Sequence, residues 1–465
     1  MLLQRRFFFF DLSCLFFFCL NFIWLFFDPY DPYFQFVFSL NFFQFFFVFG
    51  VDGFSFFFIY LSGFLTSLCM LYVFFNLRKN DIDLVFFYHG CIFSVFCLLF
   101  FVFISLDFLF FYVCFEMILI PFFILIGISS YKKRRIHASY LFFFFTLFGS
   151  FLMLFSLFQI YSFSGSTNIE ILFNQQYCFF RENLLWICLF FSLAIKIPMF
   201  PFHIWLPEAH VEAPTEGSIL LAGVLLKLGS YGFIRFLFPI FPGSSYYFSP
   251  LVILLACCSI FYTSFVTIRQ LDVKRIIAYS SIAHMNMCVL GLFSFSVISF
   301  VGGIHLMLAH GIVSSGLFFL VGMMYNRYHT KIITYYGGIV YTMPLMITFL
   351  FFFILSNVSF PMTSNFIGEF LILVGITNTM NYYSLFFVCI GIFICAVYCF
   401  WLYNRVAFLL PKYYYFNKGF DLNFIEIVIL ILLSFFSLWL GIYPVSYTYV
   451  LEITSIFYLL ELFYL

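Results

Sequence analysis

Apolar runs of similar length follow one another along this chain, parted by short clusters of charged, polar, Pro and Gly residues. A helix of about 20 residues covers the ~30 Å hydrocarbon core of a bilayer. Cutting at the clusters predicts about 14 spans. They fall near residues 7–27, 33–50, 54–76, 84–105, 107–129, 138–161, 184–206, 216–240, 250–269, 275–297, 299–324, 338–378, 383–405 and 422–446. The fold class expected is therefore an all-α polytopic membrane protein.

Two of these runs are interrupted. In the seventh, IKIPMFPFHIWLPEAH (195–210) sets Pro198 and Pro201 just after Lys196. Proline lacks the amide proton and clashes with the preceding turn, so a helix stops there. In the twelfth, FPMTSNFIGEF (360–370) sets Pro361 and the polar stretch Thr363–Asn365 ahead of Glu369. Five spans separate the two breaks, so the broken helices run in opposite directions. Broken helices in corresponding positions of two halves mark an inverted repeat and its ion site. Non-helical backbone at membrane depth survives only inside protein or beside water. The expected organisation is N-terminal spans in 1–83, half-units at 84–240 and 250–405, and a C-terminal helix and tail in 406–465.

Charge supports the count. Fourteen of the 20 basic residues fall in loops after odd-numbered spans, among them Arg78, Lys132, Arg135, Arg275, Arg327 and Arg405. The N-terminus and the even loops hold only Arg5, Arg6, Arg181 and Arg235, and the remaining two, Lys196 and Lys227, lie inside spans. This segregation orients the odd loops to the positive-inside face.

Composition narrows the class. Hydrophobic residues make up 65% of the chain, charged residues 8%, and mean hydropathy is +1.13, which leaves no room for a large soluble domain. A net charge of +1 offers no basic face for nucleic acid. The 86 Phe residues exceed any packing need and fit an AT-rich, organellar gene. The start, MLLQRRFFFFDLSCLFFF, lacks a small-residue cleavage site and reads as a retained first helix. The 14 Cys residues form no CxxC pair and read as small buried hydrophobes without a disulfide framework.

Against this background, Glu116, Lys196, Lys227 and Glu369 stand deep inside apolar runs. A charge at the bilayer centre costs about 2.5–3.5 kcal/mol on the lenient scale, so each marks an ion pathway by default. Glu116 reads either as a carboxylate bonded to a neighbouring helix or as a proton site partnered with Lys196. Asp107 lies on the opposite face of its helix and reads as a cap. Lys227 sits too far from a helix end to snorkel. Gly229 and Gly232 beside it either leave room for water or allow close packing. His203, His284, His305 and His310 occupy apolar surroundings, and His284 and His310 carry serines three or four residues away. With the intramembrane Lys and Glu they suggest a hydrated relay. No HExxH or Gly-rich nucleotide loop is present.

Several stretches resemble one family: FGVDGFSFFF (49–58), FYVCFEMILIP (111–121), IKIPMFPFHIWLPEAHVEAPTEGS (195–218), LLKLGSYGFIRF (225–236), DVKRIIAYSSIAHMN (272–286), LMLAHGIVSSGLFF (306–319), YYGGIVYTMP (335–344), FPMTSNFIGEF and WLYNRV (401–406). They are similar to the antiporter-like membrane-arm subunits of mitochondrial NADH:ubiquinone oxidoreductase, complex I. The resemblance implies 14 transmembrane helices in two inverted five-helix repeats. It implies proton transfer through Glu116, Lys196, Lys227, Glu369, His203, His284 and His310, with no metal site. NADH, flavin, iron–sulfur and ubiquinone sites are expected on other subunits. Partners would be neighbouring antiporter-like subunits, accessory subunits and lipids. The location would be the mitochondrial inner membrane. A stand-alone cation/proton antiporter subunit of the same superfamily is the rival reading.

Overall fold

The computed structural model describes residues 25–42, 45–76, 82–128, 133–379, 382–410 and 420–464. Helix dominates. Among the described residues ten helices are long and apolar enough to cross a membrane, and Pro344–Asn357, Ser364–Asn378 and Val445–Leu460 are shorter apolar helices. Adding the broken seventh and twelfth runs to the ten, twelve of the expected spans coincide with helices. Most of the first expected span, 7–27, lies outside the described residues.

The second expected span is a correction. Gln35–Phe42 and Phe45–Val51 are strands, paired antiparallel with Ser39 opposite Val48. Phe and Val favour pleated strands as readily as they favour membrane helices, and a short apolar run looks alike in either state. The ribbon is tied down where Leu106 donates its N–H to the Val48 carbonyl at 3.0 Å. Arg235, read above as a loop residue, is also misplaced by sequence: it is buried within the helical segment Thr215–Ile240. Lys274 likewise lies in the first turn of helix Val273–Phe293 and is buried.

The chain divides into two compact units. The first comprises residues 1–205, 224–252 and 449–465, and the second 206–223 and 253–448. These units follow contacts, whereas the expected half-units follow an internal repeat, so one does not decide the other.

Aromatic burial organises the first unit. Trp186 stacks on Phe190 and Phe248 with centroids 4.9 and 4.7 Å away, and its indole donates to Ser245 Oγ at 2.9 Å. Tyr and Trp carry a polar handle that needs such a partner when buried. In the second unit, small residues bring helices Val297–Tyr328 and Ser364–Asn378 together. A Cβ at Gly302 would stand 2.7 Å from Leu371 Cβ, and one at Gly368 would stand 2.8 Å from Leu306 Cβ. Membrane helices gain little from the hydrophobic effect against lipid, so close van der Waals contact of this kind is what holds them.

Candidate functional site

In the first unit, two helix ends place the chemistry. Asp107 caps helix Phe108–Met117, accepting from the Leu109 and Phe110 amides at 2.9 and 3.1 Å, and it accepts a bond from Thr167 Oγ1 at 2.8 Å. The cap read from sequence is thus present. Glu116 follows near the other end of the same helix, half-buried, with Ser150 as a hydrogen-bond partner and Lys196 as the nearby charge.

Lys196 is the last residue of helix Phe179–Lys196 and is fully buried. The helix stops where the prolines were expected to stop it. Its freed carbonyls find new donors: Met199 N–H bonds Ala194 O at 3.0 Å, and the Trp205 indole bonds Ile195 O at 3.0 Å. Orphan carbonyls at a helix end need such partners in a dry environment.

The Lys196 ammonium makes no hydrogen bond among the described residues. It stands 4.0 Å above the Phe115 ring centroid and is coupled to Glu116 through space. The two charged residues are neighbours with an aromatic face beside them, not a contact ion pair. A cation over an aromatic ring gains roughly 0.5–2 kcal/mol, more as it is desolvated.

Lys227 is fully buried between π-helical turns at Leu221–Leu225 and Phe233–Leu237. Such turns are rare and frequent at functional sites. Gly229 serves packing: a Cβ there would meet Ile197 Cγ1 at 2.6 Å and the Leu193 carbonyl at 2.8 Å. His203 is buried in the turns after Pro201, stacked on Phe200 at 5.9 Å.

The second unit assembles the other expected residues. His284 Nδ1 meets Glu369 Oε1 at 3.1 Å, and both side chains are about 5% exposed. The His310 ring lies 5.6 Å from the His284 ring, centroid to centroid. Glu369 is one turn into helix Ser364–Asn378, which restarts after the chain breaks at Asn357. Ser359 and Met362 in the break adopt φ of 62° and 74°. His305 points elsewhere: its Nε2 lies 3.2 Å from the Ser364 carbonyl, and its ring meets Tyr447 edge-on at 5.2 Å.

Sequence reading missed three constellations. Asp52 Oδ1 accepts from Arg235 at 2.7 Å, and Arg235 Nε bonds Tyr231, whose hydroxyl donates to Phe103 O at 2.8 Å. A lone Asp and a lone Arg far apart in the chain give no pairing signal. Second, the acidic segment 206–223 is clasped by basic residues: Arg275 reaches Glu208 at 2.6 Å and Lys274 donates to the Ala213 carbonyl at 2.9 Å. The density of acids in LPEAHVEAPTE was the available signal. Third, Asn357, Cys395 and Tyr398 stand beside the His284–Glu369 pair, so Cys395 is part of a polar cluster and not merely a small hydrophobe.

A family model described as NADH:quinone oxidoreductase/Mrp antiporter, TM matches residues 105–395. The chain is 47% identical over 382 residues to a protein of Acanthamoeba castellanii named NADH-ubiquinone oxidoreductase chain 4, covering 82% of this chain and 76% of that one. A protein of the same name from Chondrus crispus is 43% identical over 448 residues, covering 96% and 90%. Among solved structures, a chain of respiratory complex I from Thermus thermophilus with bound NADH superposes with a TM-score of 0.84 at 27% identity, covering 92% of this chain and 89% of that one. With more than half its length inside the family match and such identity to these relatives, the chain belongs to the NADH:quinone oxidoreductase/Mrp antiporter membrane family, in the branch of NADH-ubiquinone oxidoreductase chain 4.

Proposed function

We propose that this chain is a proton-translocating membrane-arm subunit of respiratory complex I, coupling NADH oxidation by ubiquinone to proton movement. The observation that carries the reading is the buried Glu369–His284 pair, 3.1 Å apart with His310 beside it, set against a helix break. Ionisable groups inside a membrane protein are costly to keep and mark proton relays. Protons enter one half-channel to Lys196, cross by way of Lys227 and the histidines His203, His284 and His310, and leave through Glu369. Glu116 tunes Lys196 from its place beside Phe115.

In this reading the chain takes part in NADH:ubiquinone reductase without a redox centre of its own. NADH, flavin, iron–sulfur clusters and ubiquinone bind other subunits. Its partners are neighbouring antiporter-like subunits, accessory subunits and lipids, and it is a multi-pass protein of the mitochondrial inner membrane, encoded in the organelle. Identity above 40% to relatives named for complex I favours this over a stand-alone cation/proton antiporter subunit.

The test compares Lys196→Ala with the exposed Lys133→Ala in the assembled complex. Lys196→Ala is expected to slow proton pumping and coupled NADH oxidation strongly, while Lys133→Ala is not. Equal rates in the two variants overturn the reading.

A further inference from the structure

We propose that the ribbon of strands Gln35–Phe42 and Phe45–Val51 roofs a binding slot for one alkyl chain of a membrane phospholipid. The proposal is independent of any proton route.

A cavity of about 210 Å³, open at one side, lies under the ribbon. Phe36 and Phe38 line it from the ribbon, Ile59 and Tyr60 from helix Gly53–Phe75, and Ile104 from helix Phe86–Ile104. All three elements belong to the first compact unit. Tyr60 supplies the one polar side-chain group in the lining. A buried water needs two to four polar partners, so water does not fill this space. Left empty, it would deprive its lining atoms of van der Waals partners on one side. An apolar cavity of ~150 Å³ takes benzene, and in proportion this one takes a run of about eight carbons.

The ribbon is bent where it covers the cavity. Its pairing slips register between Gln35 and Phe38, and Phe36 inside the slip has a φ of 53°. A bulky residue rarely adopts that conformation and keeps it only where its surroundings hold it. Such irregularities bend a strand and recur beside functional sites. On its far side the roof is fixed. The Phe38 ring stacks on Phe49 at 4.9 Å, Phe49 meets Phe110 edge-on at 5.0 Å, and the Leu106 N–H holds the Val48 carbonyl. These contacts keep the ribbon from settling onto the helices.

Position selects the occupant. Ile59 and Tyr60 lie near the start of one membrane-spanning helix and Ile104 ends the other, so the cavity sits at one end of both spans. Tyr30 and Tyr33, just before the ribbon, are exposed, and tyrosines gather at headgroup level in membrane proteins. Phospholipid chains begin just below that level. They are unbranched, and a lining without charge asks for no counter-ion.

The test places the intact complex in vesicles of phosphatidylcholine that carries a diazirine near the end of one acyl chain. Ile59 and Ile104 are buried, so lipid on the outside of the protein does not reach them. Illumination should put adducts on both, as well as on exposed residues such as Phe101 and Phe144. Val51→Trp and Ile59→Trp each set an indole in the slot and should cut adducts at Ile104 by about tenfold, leaving those at exposed positions unchanged. Tyr60→Phe keeps the shape and should label like the parent. Adducts confined to exposed positions in the parent overturn the proposal, as do adducts at Ile104 that survive both tryptophan substitutions. A photoreactive residue in place of Phe38 that crosslinks to residues 1–24 or to another subunit, and not to lipid, overturns it too. Should neither tryptophan variant assemble, the parent decides alone by whether Ile59 and Ile104 carry adducts.

Discussion

The Glu369–His284 contact is the place where the structure makes the proposed mechanism quantitative. At 3.1 Å, with both side chains about 5% exposed, the pair has little water to screen it. A hydrogen bond to a charged group is worth about 1.5–3 kcal/mol net, against about 1 for a neutral one. Each 1.4 kcal/mol is about tenfold in an equilibrium or a rate. Glu369→Gln keeps the side chain's size and one acceptor but cannot carry the charge. His284→Gln keeps a donor but cannot relay a proton between two ring nitrogens. Either change should therefore slow the pumping step by roughly ten- to a hundredfold if that step passes through the pair. The informative measurement is a double-mutant cycle on pumping rate, normalised to assembled complex. Residues acting as one unit show coupling of about 0.5–3 kcal/mol, so the double variant should be little slower than the worse single one. Losses that simply multiply would mean that the two groups act independently, and the relay through this contact would be refuted.

Two further outcomes follow from other parts of the molecule. Asp52→Asn breaks the buried pair with Arg235, a change that costs about 3–5 kcal/mol because the remaining charge is stranded; the yield of assembled complex should fall, and adding Arg235→Met should restore part of it, whereas full assembly of the single variant would contradict the role given to the pair. Topology can be checked with introduced cysteines at Lys133, the first residue of helix Lys133–Ser164, and at Gln176, beyond its other end. The first should label only from the matrix side and the second only from the opposite side, and labelling of both from one side would show that the segment does not cross.

Much of the site was legible in the chain. Prolines after Lys196 and before Glu369 announced both helix breaks, because proline acts through its own ring whatever surrounds it. The expense of a membrane charge pointed to Glu116, Lys196, Lys227 and Glu369 without any knowledge of their neighbours. Less legible was what each charge touches. Lys196 and Glu116 read as a pair, yet the ammonium rests over Phe115, and one Phe among 86 carries no signal of its own. Cys395 read as a small apolar residue, since a thiol's polarity matters only when donors and acceptors from other helices surround it.

What the sequence determined by itself was whatever depends on local composition: most of the runs that become long apolar helices, where two of them break, and which charges are stranded inside. Hydropathy, length and the covalent nature of proline act within one run, so one run is enough to read them. What only the tertiary structure decided was partnership. Gln35–Phe42 and Phe45–Val51 form a paired ribbon because each strand has the other to satisfy its backbone. His284 meets Cys395 across 111 positions, and Arg235 meets Asp52 across 183. Such meetings depend on how closely glycine-lined helices approach and how they are turned about their axes. Apolar faces pack alike against protein or lipid, so a single sequence carries almost no record of that rotation.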